Sequence, residues 1–155
     1  MLRTAEPSHL EGIARLHELC FGDGPEAMEL FRALRYRPEN CFLWEEDGRP
    51  LAIAHAFPMS LALGDGLRAP AVYVYAVATH PRARGRGLST RLMEYLWDEV
   101  SRRGARAALL VPAGEGLFDF YRQRGYREVC QVREGGEALL SRPEARQGPL
   151  PHLVE

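Results

Sequence analysis

The sequence predicts an α/β fold: one domain on a mixed, mostly antiparallel sheet of about six to seven strands, with helices on both faces. Three stretches carry this prediction. Residues 71–79 (AVYVYAVAT) are rich in Val and Tyr, the composition of a strand. Residues 88–100 then repeat Leu88, Leu92, Met93, Leu96, Trp97 and Val100 at helical spacing. Residues 105–111 form a short apolar run bounded by Gly104 and Pro112, which suits a buried strand. Strand, long helix and buried strand together make a parallel crossover, expected to be right-handed.

The other elements follow in the order β-α-α-β-β-β-α-β-α-β-β, with no internal repeat or linker. After the opening strand, Ser8 and Glu11 stand three apart as in a capping box and start a first helix that runs to about Leu19, with Leu10, Ile13, Ala14 and His17 on one face. Gly22, Gly24 and Pro25 interrupt it, and Met28, Leu30, Phe31 and Leu34 mark a second, short helix. Residues 41–44 and 51–57 flank Asp47-Gly48, whose positive φ angles suit a hairpin turn. Gly64-Asp65-Gly66 is a further turn ahead of the strand at 71–79. The long helix ends in a basic turn and a glycine stop, Arg102-Arg103-Gly104. Leu117, Phe118, Phe120 and Tyr121 give one more short helix ended by Gly125, and strands at 127–132 and 138–140 close the sheet. The domain is expected over residues 1–141, with a loosely held, proline-containing tail over 142–155.

Charge and composition exclude several classes. A formal net charge of −1 on 155 residues gives no global field to collect nucleic acid or anionic lipid. No leader-like apolar run follows the charges at Arg3, Glu6, Glu11 and Arg15, and no long apolar span appears, so a cytoplasmic protein without membrane contact is expected. Three cysteines, Cys20, Cys41 and Cys130, at wide spacing suggest neither a disulfide framework nor a metal cluster. The chain has no lysine: all 20 basic residues are arginine. That removes a Walker-type phosphate loop and Schiff-base chemistry.

The most informative stretch is THPRARGRGLST, residues 79–90, at the mouth of the long helix. A helix N-terminus presents unpaired N–H groups and about half a positive charge, and glycines let an anion approach that backbone closely. Arg84-Gly85-Arg86-Gly87 is therefore an anion cradle, and a diphosphate is the best match for several successive amides. A dinucleotide fingerprint is excluded: from Gly85 the third glycine of G-x-G-x-x-G is replaced by Thr90, and no acidic residue ends the following strand.

Two segments, VATHPRARGRGLST at 77–90 and LFDFYRQRGY at 117–126, resemble the GNAT (GCN5-related) N-acetyltransferases. That family carries [QR]-x-x-G-x-[GA] between its fourth strand and third helix, and a tyrosine ahead of x-x-x-G-[FY]. The loop fits in two registers, from Arg82 or from Arg84; the second keeps the customary spacing from Pro81 and places Ser89 where the family has Gly or Ala. The resemblance implies acetyl-CoA as cosubstrate. Its pantetheine arm would pair with the main chain of Val77, Ala78 and Thr79. Its diphosphate would be held by the run of amides from Gly85 to Thr90 (Gly85, Arg86, Gly87, Leu88, Ser89 and Thr90), with Arg84 and Arg86 alongside. Tyr121 would return a proton to the departing thiolate as general acid.

The acceptor is expected to be a primary amine on a small molecule or peptide, and the protein a monomer or homodimer. Tyr73 and Tyr75 share a strand face with Val77 by period two and either line the acceptor channel or pack in the core. The general base stays open among His55, Glu45, Glu115, Asp119 and water. His55 reads most simply as a half-buried strand residue. Two other functions are carried forward: a CoA-binding regulator without turnover, and a nucleic-acid module using the arginines between Arg82 and Arg106.

Overall fold

A computed structural model describes residues 1–129; residues 130–155 lie outside it, and with them the expected strand at 138–140, the end of the one at 127–132 and the tail at 142–155. Contacts group the described chain into two compact units, one of Met1–Leu61 and Ala69–Leu110, the other of Ala62–Arg68 together with residues 111–129.

Among the described residues the sheet has five strands in sequential order, β1 (Leu2–Thr4), β2 (Cys41–Glu46), β3 (Arg49–Gly64), β4 (Leu67–Thr79) and β5 (Ala107–Leu109). This is fewer than expected, because residues 127–129 carry no strand. β1 and β2 pair antiparallel, as do β2 and β3 with Phe42 opposite Ala54. β4 and β5 pair in parallel over Ala71–Tyr73 and Ala107–Leu109, as the crossover required. β3 and β4 are longer than their apolar cores. The turn at Gly64, Asp65 and Gly66, all at positive φ, lets both strands run on to its tip.

Four α-helices complete the described chain: α1 (Leu10–Phe21), α2 (Pro25–Leu34), α3 (Leu88–Arg102) and α4 (Phe118–Arg122). The expected Ser8–Glu11 capping box does not form. Pro7 fixes φ and has no N–H to lose, so a 3-10 turn starts there with Ser8 inside it, and the Glu6 N–H donates to His9 Nδ1 at 2.8 Å. Glu11 pairs with Arg15 instead.

Strand alternation divides the larger unit's core between two helix layers. Cys41, Leu43 and Ile53 form one cluster with Ile13 and Leu16 of α1. On the other face Phe42 meets Tyr95 of α3 edge-on at 6.1 Å, and Arg91 lies over Trp44 at 5.7 Å. Ala54, opposite Phe42, is fully buried there, and its small side chain leaves room for the helix. Leu88, Leu92, Met93, Leu96 and Val100 make the buried stripe of α3, while Trp97 falls off it at 39% exposure. Each fully buried leucine of that stripe contributes roughly 1.5–3 kcal/mol.

One backbone feature changes the face reading of β4. Ala76 takes φ 50, a left-handed conformation rare outside glycine. Tyr75 packs on the α1 side against Phe31, and Ala78, three residues on, joins the α1-side cluster where period two would have placed Val77. The irregularity at Ala76 thus separates Val77 from the face of Tyr73 and Tyr75.

Candidate functional site

The region that the sequence singled out is built from the end of β4, a short connection and the start of α3. The ladder between β4 and β5 stops at Tyr73, and β5 itself ends at Leu109. The β4 main chain from Val74 to Thr79 therefore has no β5 partner among the described residues, although the Thr79 carbonyl is approached by Arg84 Nε and by Cys20 Sγ. The His80 N–H on the other edge donates to the Leu51 carbonyl of β3 at 2.8 Å. Thr79 Oγ1 is buried and has no hydrogen-bond partner among the described residues, an unmet polar atom on that segment.

Pro81–Ala83 forms a 3-10 turn, and Arg84 follows in extended conformation. Gly85 and Gly87 take φ 76 and 71, and nothing lies within 4 Å of where a Cβ would project from either. Gly87 is the N-cap of α3, and its carbonyl accepts the first helical bond from Arg91 at 3.2 Å. Leu88, Ser89 and Thr90 make the first turn, where a helix's own carbonyls cannot reach the amides and the helix dipole adds to their positive field. Ser89 stands at the second helical position, where a bulky side chain would crowd those amides. Two glycines at positive φ, open space over their backbone and a helix N-terminus form a main-chain geometry of the kind that suits an anion.

The arginines are placed less simply. Arg86 forks onto the Glu46 carboxylate through both terminal nitrogens, and the Trp44 indole donates to the same carboxylate at 3.1 Å. The hydrogen bond from Arg86 holds the Glu46 carboxyl below its ordinary range. Arg84 Nε donates to the Thr79 carbonyl at 3.3 Å, folding the loop back on the strand end.

Tyr121 lies in the smaller unit, on α4, with 9% exposure. Its ring meets Phe120 at 5.1 Å and Tyr126 at 5.7 Å, both edge-on, and its carbonyl accepts from the N–H groups of Arg124 and Tyr126. Burial raises its phenol above the ordinary value, so the group stays protonated at neutral pH.

The base candidates are mostly committed elsewhere. Glu45 is nearly buried and bonds His9 Nε2 at 3.0 Å and Arg3 at 3.2 Å. Asp119 pairs with Arg122 on the surface, and Glu115 opens the turn ahead of α4. His55 departs from the sequence reading: it is fully buried, not half-buried, because β3 turns it inward under α1. His55 Nε2 lies 3.1 Å from His17 Nε2, and His17 Nδ1 lies 3.0 Å from Asp23 Oδ2. Burial and the neighbouring His17 ring push His55 down to about 3, and burial lowers His17 too. Little along the chain warns of this arrangement, since His17 reads there as one more position on an apolar face.

A family profile described as "Acetyltransferase (GNAT) domain" matches residues 1–129. The chain belongs to the GNAT family. Solved GNAT structures share the fold at low identity. A protein described as "Putative acetyltransferase", from Agrobacterium tumefaciens, is 22% identical with a TM-score of 0.67, over 86% of this chain and 99% of its own. A Trypanosoma brucei acetyltransferase is 22% identical with a TM-score of 0.66, over 86% and 96%. AAC(6')-Iy, solved with a CoA-bearing bisubstrate analogue, is 19% identical with a TM-score of 0.69, over 88% and 97%. No curated protein sequence matches the chain. No helix among the described residues is long and apolar enough to cross a membrane.

Proposed function

We propose that this GNAT protein transfers an acetyl group from acetyl-CoA to a primary amine of a small molecule or peptide. The observation that carries the reading is the open backbone at Gly85 and Gly87 leading into the first turn of α3. A diphosphate there gains several charged hydrogen bonds, each worth about 1.5–3 kcal/mol. The open β4 edge at Val77, Ala78 and Thr79 supplies main-chain partners for the pantetheine amides. Arg84 and Arg86 add charge beside the diphosphate, Arg86 by exchanging Glu46 for phosphate oxygen. The acceptor ammonium first gives a proton to water. The neutral amine then forms its C–N bond as the C–S bond of the thioester breaks, its surplus N–H proton passes to solvent, and Tyr121, kept protonated by burial, returns a proton to the thiolate and is reprotonated from solvent.

The test has two stages. Coenzyme A at 100 times its dissociation constant should stabilise the folded chain by about 2.7 kcal/mol, seen as a rise in melting temperature. Thiol release should then follow when acetyl-CoA is supplied with one member of a panel of peptides, polyamines, aminoglycosides and amino acids. No thermal shift removes the reading; a shift without turnover on any amine favours a CoA-binding regulator. The proposed domain spans residues 1–141 and the proposed setting is the cytoplasm, as monomer or homodimer.

A further inference from the structure

The histidine chain under α1 ends at a carboxylate with unusual company. His17 is 1% exposed and His55 fully buried, yet each gives a ring nitrogen to the other. The Asp23 carboxylate can only accept, so the His17 Nδ1–H donates to it. The His17 Nε2 lone pair must then accept from His55 Nε2–H. Two neutral imidazoles in series therefore fix one carboxylate, which stays about a third exposed. An apolar pair would pack this position without the cost of burying polar rings. Among the described residues no arginine pairs with Asp23, whose partner is His17.

Through His17, Asp23 is linked to a set of aromatic rings. Phe31, Phe57 and Tyr75 lie with ring centroids 5.7–6.2 Å apart. His17 touches Phe31 at 5.4 Å, which ties the set to the carboxylate, and Tyr75 is 39% exposed. The Tyr75 phenol is raised by its burial and, next, by the charge of Asp23. The group also borders the open strand edge: Cys20 Sγ at the end of α1 approaches the Thr79 carbonyl at 3.7 Å, and Tyr75 is two residues ahead of Val77.

A fixed carboxylate near aromatic rings, of which Tyr75 is exposed and Phe31 and Phe57 are partly buried, is the chemistry that recognises an ammonium on an apolar body. We propose that Asp23, Phe31, Phe57 and Tyr75 receive the acceptor as a primary ammonium on an aromatic or apolar skeleton, with His17 and His55 as positioning residues for the Asp23 carboxylate. This rests on the acyl-transfer reading above and narrows its acceptor. Carboxylated or phosphorylated acceptors are disfavoured by the Asp23 charge, and polyhydroxylated ones by the scarcity of hydrogen-bonding groups on the three rings.

The test is calorimetric titration of the full chain, with and without coenzyme A, using benzylamine and its neutral counterpart benzyl alcohol. Benzylamine is expected to bind at least tenfold tighter than the alcohol. Asp23→Asn should remove that difference while leaving coenzyme A affinity unchanged. Tyr75→Ala should weaken benzylamine more than methylamine. His17→Leu keeps the volume but releases the carboxylate: it should weaken benzylamine several-fold and leave benzyl alcohol unchanged, whereas a merely structural role would weaken both. Equal binding of amine and alcohol by the wild type, no benzylamine binding, or an Asp23→Asn variant with wild-type preference overturns the proposal. Amine selectivity that survives alongside a failure to bind coenzyme A would sink the acyl-transfer reading and leave this site standing.

Discussion

Replacing Gly87 by alanine separates the two duties of that residue, shaping the helix start and leaving its backbone bare. At φ 71 an alanine bears a left-handed strain of about 1–2 kcal/mol. Nothing stands within 4 Å of the added methyl, so no steric clash adds to that cost in the free protein. For a chain of this size the loss corresponds to a fall in melting temperature of about 2–8 °C. Gly104 is the matched control, since it too has positive φ (96) and open space, but lies past the far end of the 15-residue α3, about 22 Å away. Both variants should therefore lose stability without ligand. They should part company when coenzyme A is added. At 100 times the wild-type dissociation constant, wild type and Gly104→Ala gain about 2.7 kcal/mol. If the methyl added at position 87 weakens binding a hundredfold, the Gly87→Ala variant gains only about 0.4 kcal/mol under the same conditions. Differential scanning fluorimetry over a coenzyme A titration reads all three. A Gly87→Ala variant that keeps the full ligand-dependent rise would show that the diphosphate does not lie on this backbone.

Three further outcomes follow from the geometry. Tyr121→Phe should lower turnover at least tenfold with coenzyme A affinity within about twofold of wild type; equal losses in steady-state rate and in titrated affinity would make Tyr121 a packing residue. Glu46→Gln removes the carboxylate that holds Arg86, so coenzyme A affinity should rise several-fold with a steeper salt dependence, and a fall in affinity would mean that the pair braces the loop for binding. His55 titrates at about 3 when folded and about 6.5 when unfolded, so the unfolded chain holds more protons in between. Stability should fall as pH drops from about 6.5 towards 3, by up to about 1.4 kcal/mol per pH unit from this group; His55→Gln should flatten the dependence of the urea midpoint between pH 7 and 5, and an unchanged slope refutes the assignment.

Much of the fold is legible in the chain because the signals involved are local. The helical spacing of Leu88, Leu92, Leu96 and Val100, the Asp47-Gly48 turn and the glycine pair ahead of α3 each reflect backbone preferences over a few residues. They also located the proposed anion site, since it is main chain, and main-chain geometry follows from where glycines and a helix start stand. Side-chain engagement was not readable in this way. That Arg86 faces Glu46, forty residues away, depends on how β2 and α3 lie together. The left-handed Ala76, which moves Ala78 and not Val77 onto the face of Tyr75, has no glycine to announce it. The chain from His55 through His17 to Asp23 joins a strand, a helix and a turn that are distant in sequence. Local propensity thus determined the glycine-bounded start of α3, whereas the grouping of His17, Asp23, Phe31, Phe57 and Tyr75 came only from tertiary packing, because these side chains meet through space and not along the chain.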